Sequence, residues 1–282
     1  MGERMKTIEF ADGTVVPALG QGSWHLGQER RPAAQEVAAL RLGYELGLRL
    51  VDTAEMYGEG RAEELIAKTL PGERDTLYLV SKVYPQNARR AALRKACDAS
   101  LRRLGVPRLD LYLLHWRGGA DLAETVATFE ELKTAGKIGA WGVSNFDVTD
   151  MEDLLRVPQG ERCATNQVLY NVASRGIEFD LLPWCAARRM PVMAYSPLGS
   201  GAGLLRHPAL REIAERHHTT TAALALAWAI RAGGVIAIPE AGDQAHVRTN
   251  AQALSLTLDA RDLADLDAAF PPPRRKVPLD IL

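Results

Sequence analysis

The stretch LRLVDTAEMYGEGRAEELIAKTL, residues 48–70, holds a strand, a tight connection and a helix start in one run. Leu48, Leu50 and Val51 form a short apolar strand pattern that runs straight into Asp52, and Tyr57 follows between glycine-rich turns, just before the helical spacing begins. Seven other segments repeat the strand: LGQGSW (19–24), LYLVSK (77–82), LDLYLLHW (109–116), GAWGVSNF (139–146), ATNQVLY (164–170), PVMAYSP (191–197) and VIAIPE (235–240). Helical periodicity fills the intervals, as in RRPAAQEVAALRLGYELG, ETVATFEELKTAGK and HHTTTAALALAWAIRAGG. Strand starts recur every 25–32 residues until a last gap of 44, and no linker interrupts them. This rhythm predicts one (β/α)8 TIM barrel domain over residues 1–282, with an insertion in the last gap, rather than a doubly wound sheet plus a second domain. Ahead of it, Asp12-Gly13 in TIEFADGTVVPALG marks a tight β-hairpin expected to cap the N-terminal end of the barrel. Behind it, LTLDARDLADLDAAF reads as a final helix. The tail PPPRRKVPLDIL cannot start as a helix and is expected to fold over a pocket.

Composition narrows the function classes. The chain is 282 residues long, 47% hydrophobic and 24% charged, which is ordinary for a globular protein. No apolar run reaches the 18 or so residues of a membrane span, and MGERMKTIEF lacks the apolar core of a secretory signal, so the expected address is the cytoplasm, with no membrane partner. Cys97, Cys163 and Cys185 are far apart and form no CxxC, which suits reduced thiols and neither a disulfide framework nor a zinc ribbon. A net charge of -1 lacks the footprint of a nucleic-acid binder. In the one basic stretch, RRAALRKACDASLRRLG, Leu93, Cys97, Leu101 and Leu104 share a helix face, leaving the arginines to solvent.

In such a barrel the active site stands at the C-terminal ends of the strands. The residues there are polar and specific: Ser23-Trp24, Asp52 with Tyr57, Lys82, His115-Trp116, Ser144-Asn145, Asn166-Gln167, Tyr195-Ser196 and Pro239-Glu240. A lysine after LYLVS is costly in a barrel interior unless paired, and Asp52 is the obvious partner. An ammonium beside Tyr57 is expected to lower the phenol's pKa and make it a better proton donor near neutrality. His115 could hold a carbonyl oxygen, with Trp24, Tyr84 and Trp116 as apolar walls. The set suits protonating a carbonyl and contains neither a nucleophile nor a metal cluster. The electron pair must come from elsewhere, most simply a nicotinamide cofactor.

DTAEMYG, VSK, LYLLHW, GVSNF, NQVLY, YSPLG and an IP followed eleven residues later by Asn250 occur in one order along the chain, and with them it resembles the aldo-keto reductases over nearly its whole length. The resemblance implies Tyr57 as general acid and base, Asp52 and Lys82 as its tuning pair and His115 as the orienting residue. It implies NADPH held by Gly22, Ser23, Trp24, Ser144, Asn145 and Gln167 around the nicotinamide, with Tyr195 stacked on the ring. Ser196, Pro197, Leu198 and Ser200 would lie along the pyrophosphate, and Ile238, Glu240, Ala241, His246 and Asn250 at the adenosine end. SKVYP, ATNQVLY, SRGIE and DLLPWC look most like bacterial reductases of methylglyoxal and similar small aldehydes. The expected partner is a small carbonyl compound, and the expected state a monomer or weak oligomer.

Each feature has a plainer reading. Asp52 and Lys82 alone would be a structural ion pair, Tyr57 a turn residue and His115 a core histidine; only the set argues for catalysis. PLGSGAG is a weak signal, no GxGxxG occurs, and GVSNF lacks the second glycine of a nucleophile elbow. His217-His218 reads as surface polarity. A hydrolase built on Asp52, Glu55 or Glu59 is disfavoured because the strand ends assemble no metal cluster or carboxylate pair. A redox-sensing regulatory module of the same fold is the other alternative. One departure stands out: where NADPH-preferring members read IPKS and then an arginine, this chain reads IPEAGDQAHVRTN. Glu240 in place of lysine and His246 in place of arginine weaken the expected reading of the 2′-phosphate and point toward NADH as an alternative.

Overall fold

A computed structural model describes residues 5–201 and 203–282; the opening MGER and Ala202 of PLGSGAG lie outside the described residues. The hairpin is present as β1 (Thr7–Glu9) and β2 (Val15–Pro17), paired antiparallel. Its turn is held by Thr14 N donating to Asp12 Oδ1 at 2.9 Å, with Gly13 at φ +85°. Phe10 is buried and stacks on Tyr78, 5.5 Å between ring centres. Tyr78 opens a barrel strand, so the hairpin plugs the N-terminal mouth.

The eight barrel strands are β3 (Gln21–Gly22), β4 (Leu50–Asp52), β5 (Tyr78–Val83), β6 (Leu109–Leu114), β7 (Ile138–Ser144), β8 (Asn166–Leu169), β9 (Val192–Tyr195) and β10 (Val235–Ala237). They pair in parallel in sequence order. Bridges Leu19↔Ala237 and Gly22↔Glu240 close the ring, with Gly20 N donating to Ala237 O at 2.8 Å and Gly22 N to Pro239 O at 3.0 Å. A Cβ on Gly22 would fall 2.7 Å from Ile238 O, so the seam needs a residue without a side chain. The first strand is therefore shorter than LGQGSW suggested: its ends bind through single bridges.

The helices α1 (Ala33–Glu45), α2 (Arg61–Thr69), α3 (Arg90–Leu104), α4 (Leu122–Thr134), α5 (Val148–Arg156) and α6 (Leu181–Ala186) follow β3 to β8 in turn. The long last gap holds two, α7 (Pro208–Arg216) and α8 (Thr221–Ala229). Then α9 (Gln244–Ala251), which the periodicity had not marked, precedes the final α10 (Ala260–Ala269). Caps fix several starts: Asp121 accepts from Ala123 N and Glu124 N, and Asp147/Asp150 and Asp259/Asp262 form reciprocal boxes. In α3, Leu93, Cys97, Leu101 and Leu104 are buried, while Arg90 and Arg94 reach Glu131 on α4 and Arg103 reaches the buried Glu63. The helix α8 is buried on every side because it packs against α7, α9 and β10. Among the described residues no helix is long and apolar enough to cross a membrane.

The tail after Phe270 has no helix or strand. Lys276 ties it to Asp180 at 3.3 Å and Asp147 at 3.7 Å, and it ends with Ile281 and Leu282 lining the cavity at the C-terminal mouth. The tail folds over the pocket as expected.

Candidate active site

The register sets the site. Asp52 ends β4 opposite Gly22 on one side and Val80 on the other, and Lys82 lies two residues further along β5. Both side chains are buried. Lys82 Nζ donates to Asp52 Oδ2 at 2.6 Å, to Thr53 O at 2.8 Å and to Tyr57 Oη at 3.0 Å, which uses all three ammonium hydrogens. Asp52 Oδ1 accepts from Gln167 Nε2 at 2.7 Å, so both carboxylate oxygens are occupied as acceptors. The turn carrying Tyr57 runs through three left-handed residues, Gly58, Glu59 and Gly60, which aims the phenol back at β5. His115, just past β6, meets the Tyr57 ring edge-on at 5.8 Å.

Burial dominates the electrostatics. It would strip Lys82 of its proton, but Asp52 and Tyr57 more than offset it and the net displacement is upward. Burial also pushes Asp52 up, against Lys82 and Gln167. Burial raises Tyr57 as well, and the Lys82 charge only partly opposes it. This corrects the expectation of a lowered phenol: the sequence showed the cation but not the depth of burial. His115 is held down to about 2 by burial and then by the Lys82 charge, so the ring is neutral. Its Nδ1 is buried without a partner, and because a bare acceptor costs less there than a bare N–H, the tautomer that carries its proton on Nε2 is the favoured one.

A cavity of about 720 Å³ opens above this group. It is lined by Gly22, Ser23, Trp24, Asp52, Tyr57, His115, Trp116, Ser144, Asn145, Gln167, Tyr195, Ser196, Pro197, Leu198, Ser200, Ile238 and Glu240, all singled out from the sequence. Lys82 lies beneath it. Tyr84 is not among the lining residues: Glu55 Oε1 accepts from Tyr84 N at 2.8 Å, and the ring packs edge-on against Trp116 at 5.7 Å and beside His115 at 6.5 Å. Ala241, His246 and Asn250 also stand off the cavity. Asn250 and Ala241 border a small crevice beside Gly20 and Val247, and exposed His246 pairs with Asp243 at 2.7 Å. His217, read as free surface polarity, has its Nε2 2.6 Å from the buried Asp262 Oδ2.

Gly199, within the segment expected along the pyrophosphate, and Ile281 and Leu282 of the tail also line the cavity, as do His25, Met56 and Gly201, which were missed. Of these, His25 follows a strand-end tryptophan directly, and that adjacency was the available signal. Glu240 does not hang free: Oε2 accepts from His25 N at 2.8 Å and lies 3.0 Å from His25 Nδ1, while Arg31 Nη1 is 3.6 Å from Oε1. The hydrolase alternative loses Asp52 to its ion pair and Glu55 to Tyr84 N and Asn87 Nδ2, and Glu59 is exposed and does not line the cavity.

The model of the Aldo/keto reductase family matches residues 18–270. The chain belongs to this family. It is 50% identical to methylglyoxal reductase YeaE of Escherichia coli K12, over 99% of this chain and all of that one. It is also 50% identical, with a TM-score of 0.96 and the same coverage, to two crystal structures of an aldo/keto reductase from Klebsiella pneumoniae, one in complex with NADP and acetate and one with NADPH. At 30% identity, glyoxal reductase of Bacillus subtilis aligns over 93% of this chain and 92% of its own. The family match fits the sequence resemblance, and the (β/α)8 barrel agrees with it.

Proposed function

We propose that this protein is an NADPH-dependent reductase of small aldehydes, methylglyoxal-like 2-oxoaldehydes among them, with Tyr57 as proton donor. The observation that carries the reading is the Lys82 ammonium held 3.0 Å from Tyr57 Oη by Asp52 at the floor of the cavity, with neutral His115 alongside.

The residues around the cavity fit a dinucleotide. Tyr195 is fixed as a wall by its hydroxyl donating to Asn145 Oδ1 at 2.9 Å. Gln167 commits Nε2 to Asp52, so its remaining acceptor, Oε1, suits a carboxamide NH₂. The donors of Ser144 and Asn145 are engaged with Gln167 O and His115 O, which stiffens the group. Ser196 to Gly201 turns through left-handed Ser196, Gly199 and Gly201, presenting backbone of the kind that cradles phosphates. When bound, reduced nicotinamide supplies the electron pair.

The protein's residues do the rest. His115 Nε2–H orients the carbonyl oxygen without surrendering a proton, because the ring has no second one to give at neutral pH. Tyr57 keeps its proton in the resting site and releases it as negative charge develops on that oxygen. Lys82 stabilises the phenolate as it forms, an interaction worth more in the transition state than before it. Trp24 and Trp116 wall the cavity against bulky substrates. The test is turnover of methylglyoxal, nitrobenzaldehyde and a steroid ketone with each nicotinamide cofactor. Efficient steroid reduction with negligible methylglyoxal activity would overturn the substrate class, and turnover too slow for an enzyme would favour the redox-sensing alternative.

A further inference from the structure

Tyr57 stands on a turn that carboxylates hold against β5 from both sides. Two residues before it, Glu55 Oε1 accepts from Tyr84 N at 2.8 Å, and Glu55 N donates to Lys82 O at 3.3 Å. Six residues after it, in the first turn of α2, Glu63 accepts from Ser81 Oγ at 2.7 Å through one oxygen and from Arg103 Nε at 2.6 Å through the other. Ser81 and Tyr84 flank Lys82 on and just beyond β5, so the strand segment that aims the ammonium also anchors both ends of the turn. Between the anchors Gly58, Glu59 and Gly60 are left-handed; for Glu59, at φ +59°, that conformation is unfavourable and persists only where the surroundings impose it. Arg103 supplies part of them, lying so close over Gly60 that a Cβ there would fall 2.5 Å from its Cδ. Glu63 is 0% exposed. A buried ion pair adds little to stability over apolar residues of similar volume, so the fold alone does not account for it. Neither Glu63 nor Arg103 lines the cavity, and an effect of theirs on the reaction has to pass through the turn.

We infer that Glu63, neutralised by Arg103, is a positioning residue for the proton donor: it pins the left-handed turn to β5 so that Tyr57 Oη stays within reach of Lys82. The inference rests on the reductase reading above. Without the pin the turn is free to relax its strained residues, and a displacement of a reacting group by about 1 Å is enough to slow a reaction about 100-fold.

A double-mutant cycle tests it. The kcat and KM for methylglyoxal are measured in the unmodified protein, Tyr57→Phe, Glu63→Ala and the double variant, with Glu63→Gln and Ser81→Ala alongside. Glu63→Ala should lower kcat about 10- to 100-fold and leave KM within about twofold. Once the phenol is gone its position no longer matters, so the same substitution should cost less than about twofold in the Tyr57→Phe background. Glu63→Gln can still accept from Arg103 and donate to Ser81 Oγ, and should recover most of kcat. Ser81→Ala removes a single anchor and should lower kcat about 2- to 10-fold; it takes the place of Glu63→Ala in the cycle if that variant does not fold. Equal losses in both backgrounds mean a merely structural role and overturn the inference, as does an unchanged kcat in the variant that removes the anchor. If the unmodified protein reduces no aldehyde, the reductase reading falls first and takes the inference with it.

Discussion

The floor of the cavity and the barrel seam hold charge in opposite ways. At the floor, Lys82 is 0% exposed and Asp52 3%, all three ammonium hydrogens and both carboxylate oxygens are engaged, and the pair joins adjacent strands with Gln167 reaching in from β8. At the seam, Glu240 is 19% exposed and Arg31 35%, and the links join the loop after β3 to the end of β10. The first arrangement is a fixed electrostatic device whose removal leaves an uncompensated buried charge. The second is a partly solvated cluster that can exchange partners at small cost.

Substitutions at the floor should therefore act strongly. Tyr57→Phe should lower kcat for aldehyde reduction by about 10²- to 10⁴-fold, because it removes the proton donor. Cofactor affinity, followed by quenching of tryptophan fluorescence, should stay close to that of the unmodified protein. A Phe variant with near-normal kcat would show that the phenol is not the acid.

Lys82→Met extends the contrast to stability. It should abolish most activity and cost about 3–5 kcal/mol, because Asp52 is left buried without its partner. Adding Asp52→Asn should recover part of the stability and none of the activity. Denaturant unfolding of the three proteins checks this, and equal stability of Lys82→Met and the double variant would mean that the burial penalty lies elsewhere.

What the sequence made legible follows the same division. Asp52, Lys82 and His115 could be placed because each interrupts or ends an apolar strand, and strand ends converge in a barrel. Tyr84 had the same credentials but is not among the lining residues; its ring packs against Trp116 and His115, and Glu55 binds its backbone N–H. The link from His25 to Glu240 spans 215 residues, and no local pattern announces it. The raised pKa of Tyr57 was equally invisible: a sequence names the neighbouring charge, but burial, the larger effect, is a property of packing.

Burial also decides the response to acid. The pKa of His115 is about 2 in the folded protein against an ordinary 6.5, so below pH 6.5 the unfolded chain takes up a proton that the folded one does not. Stability from this group is present above pH 6.5 and is lost on acidification, by at most about 1.4 kcal/mol per pH unit. His115→Gln should show a correspondingly shallower loss between pH 6 and 4 in thermal unfolding. Aldehyde reduction should likewise show no inflection near pH 6.5 attributable to this ring; one that His115→Gln removed would place a titrating imidazole at the reacting oxygen.

The weakest effect belongs to the seam. Glu240→Gln keeps an acceptor for His25 N and removes one partner from a half-solvated cluster, so stability should change by less than about 1 kcal/mol. For a chain of this length that is a shift in Tm of about 3 °C or less, measured without cofactor. The outcome bears directly on the contrast between floor and seam. A loss comparable to that of Lys82→Met would mean that Glu240 closes the barrel as Asp52 anchors Lys82. A small shift leaves the cluster what its exposure makes it, a charge arrangement on which the fold does not depend.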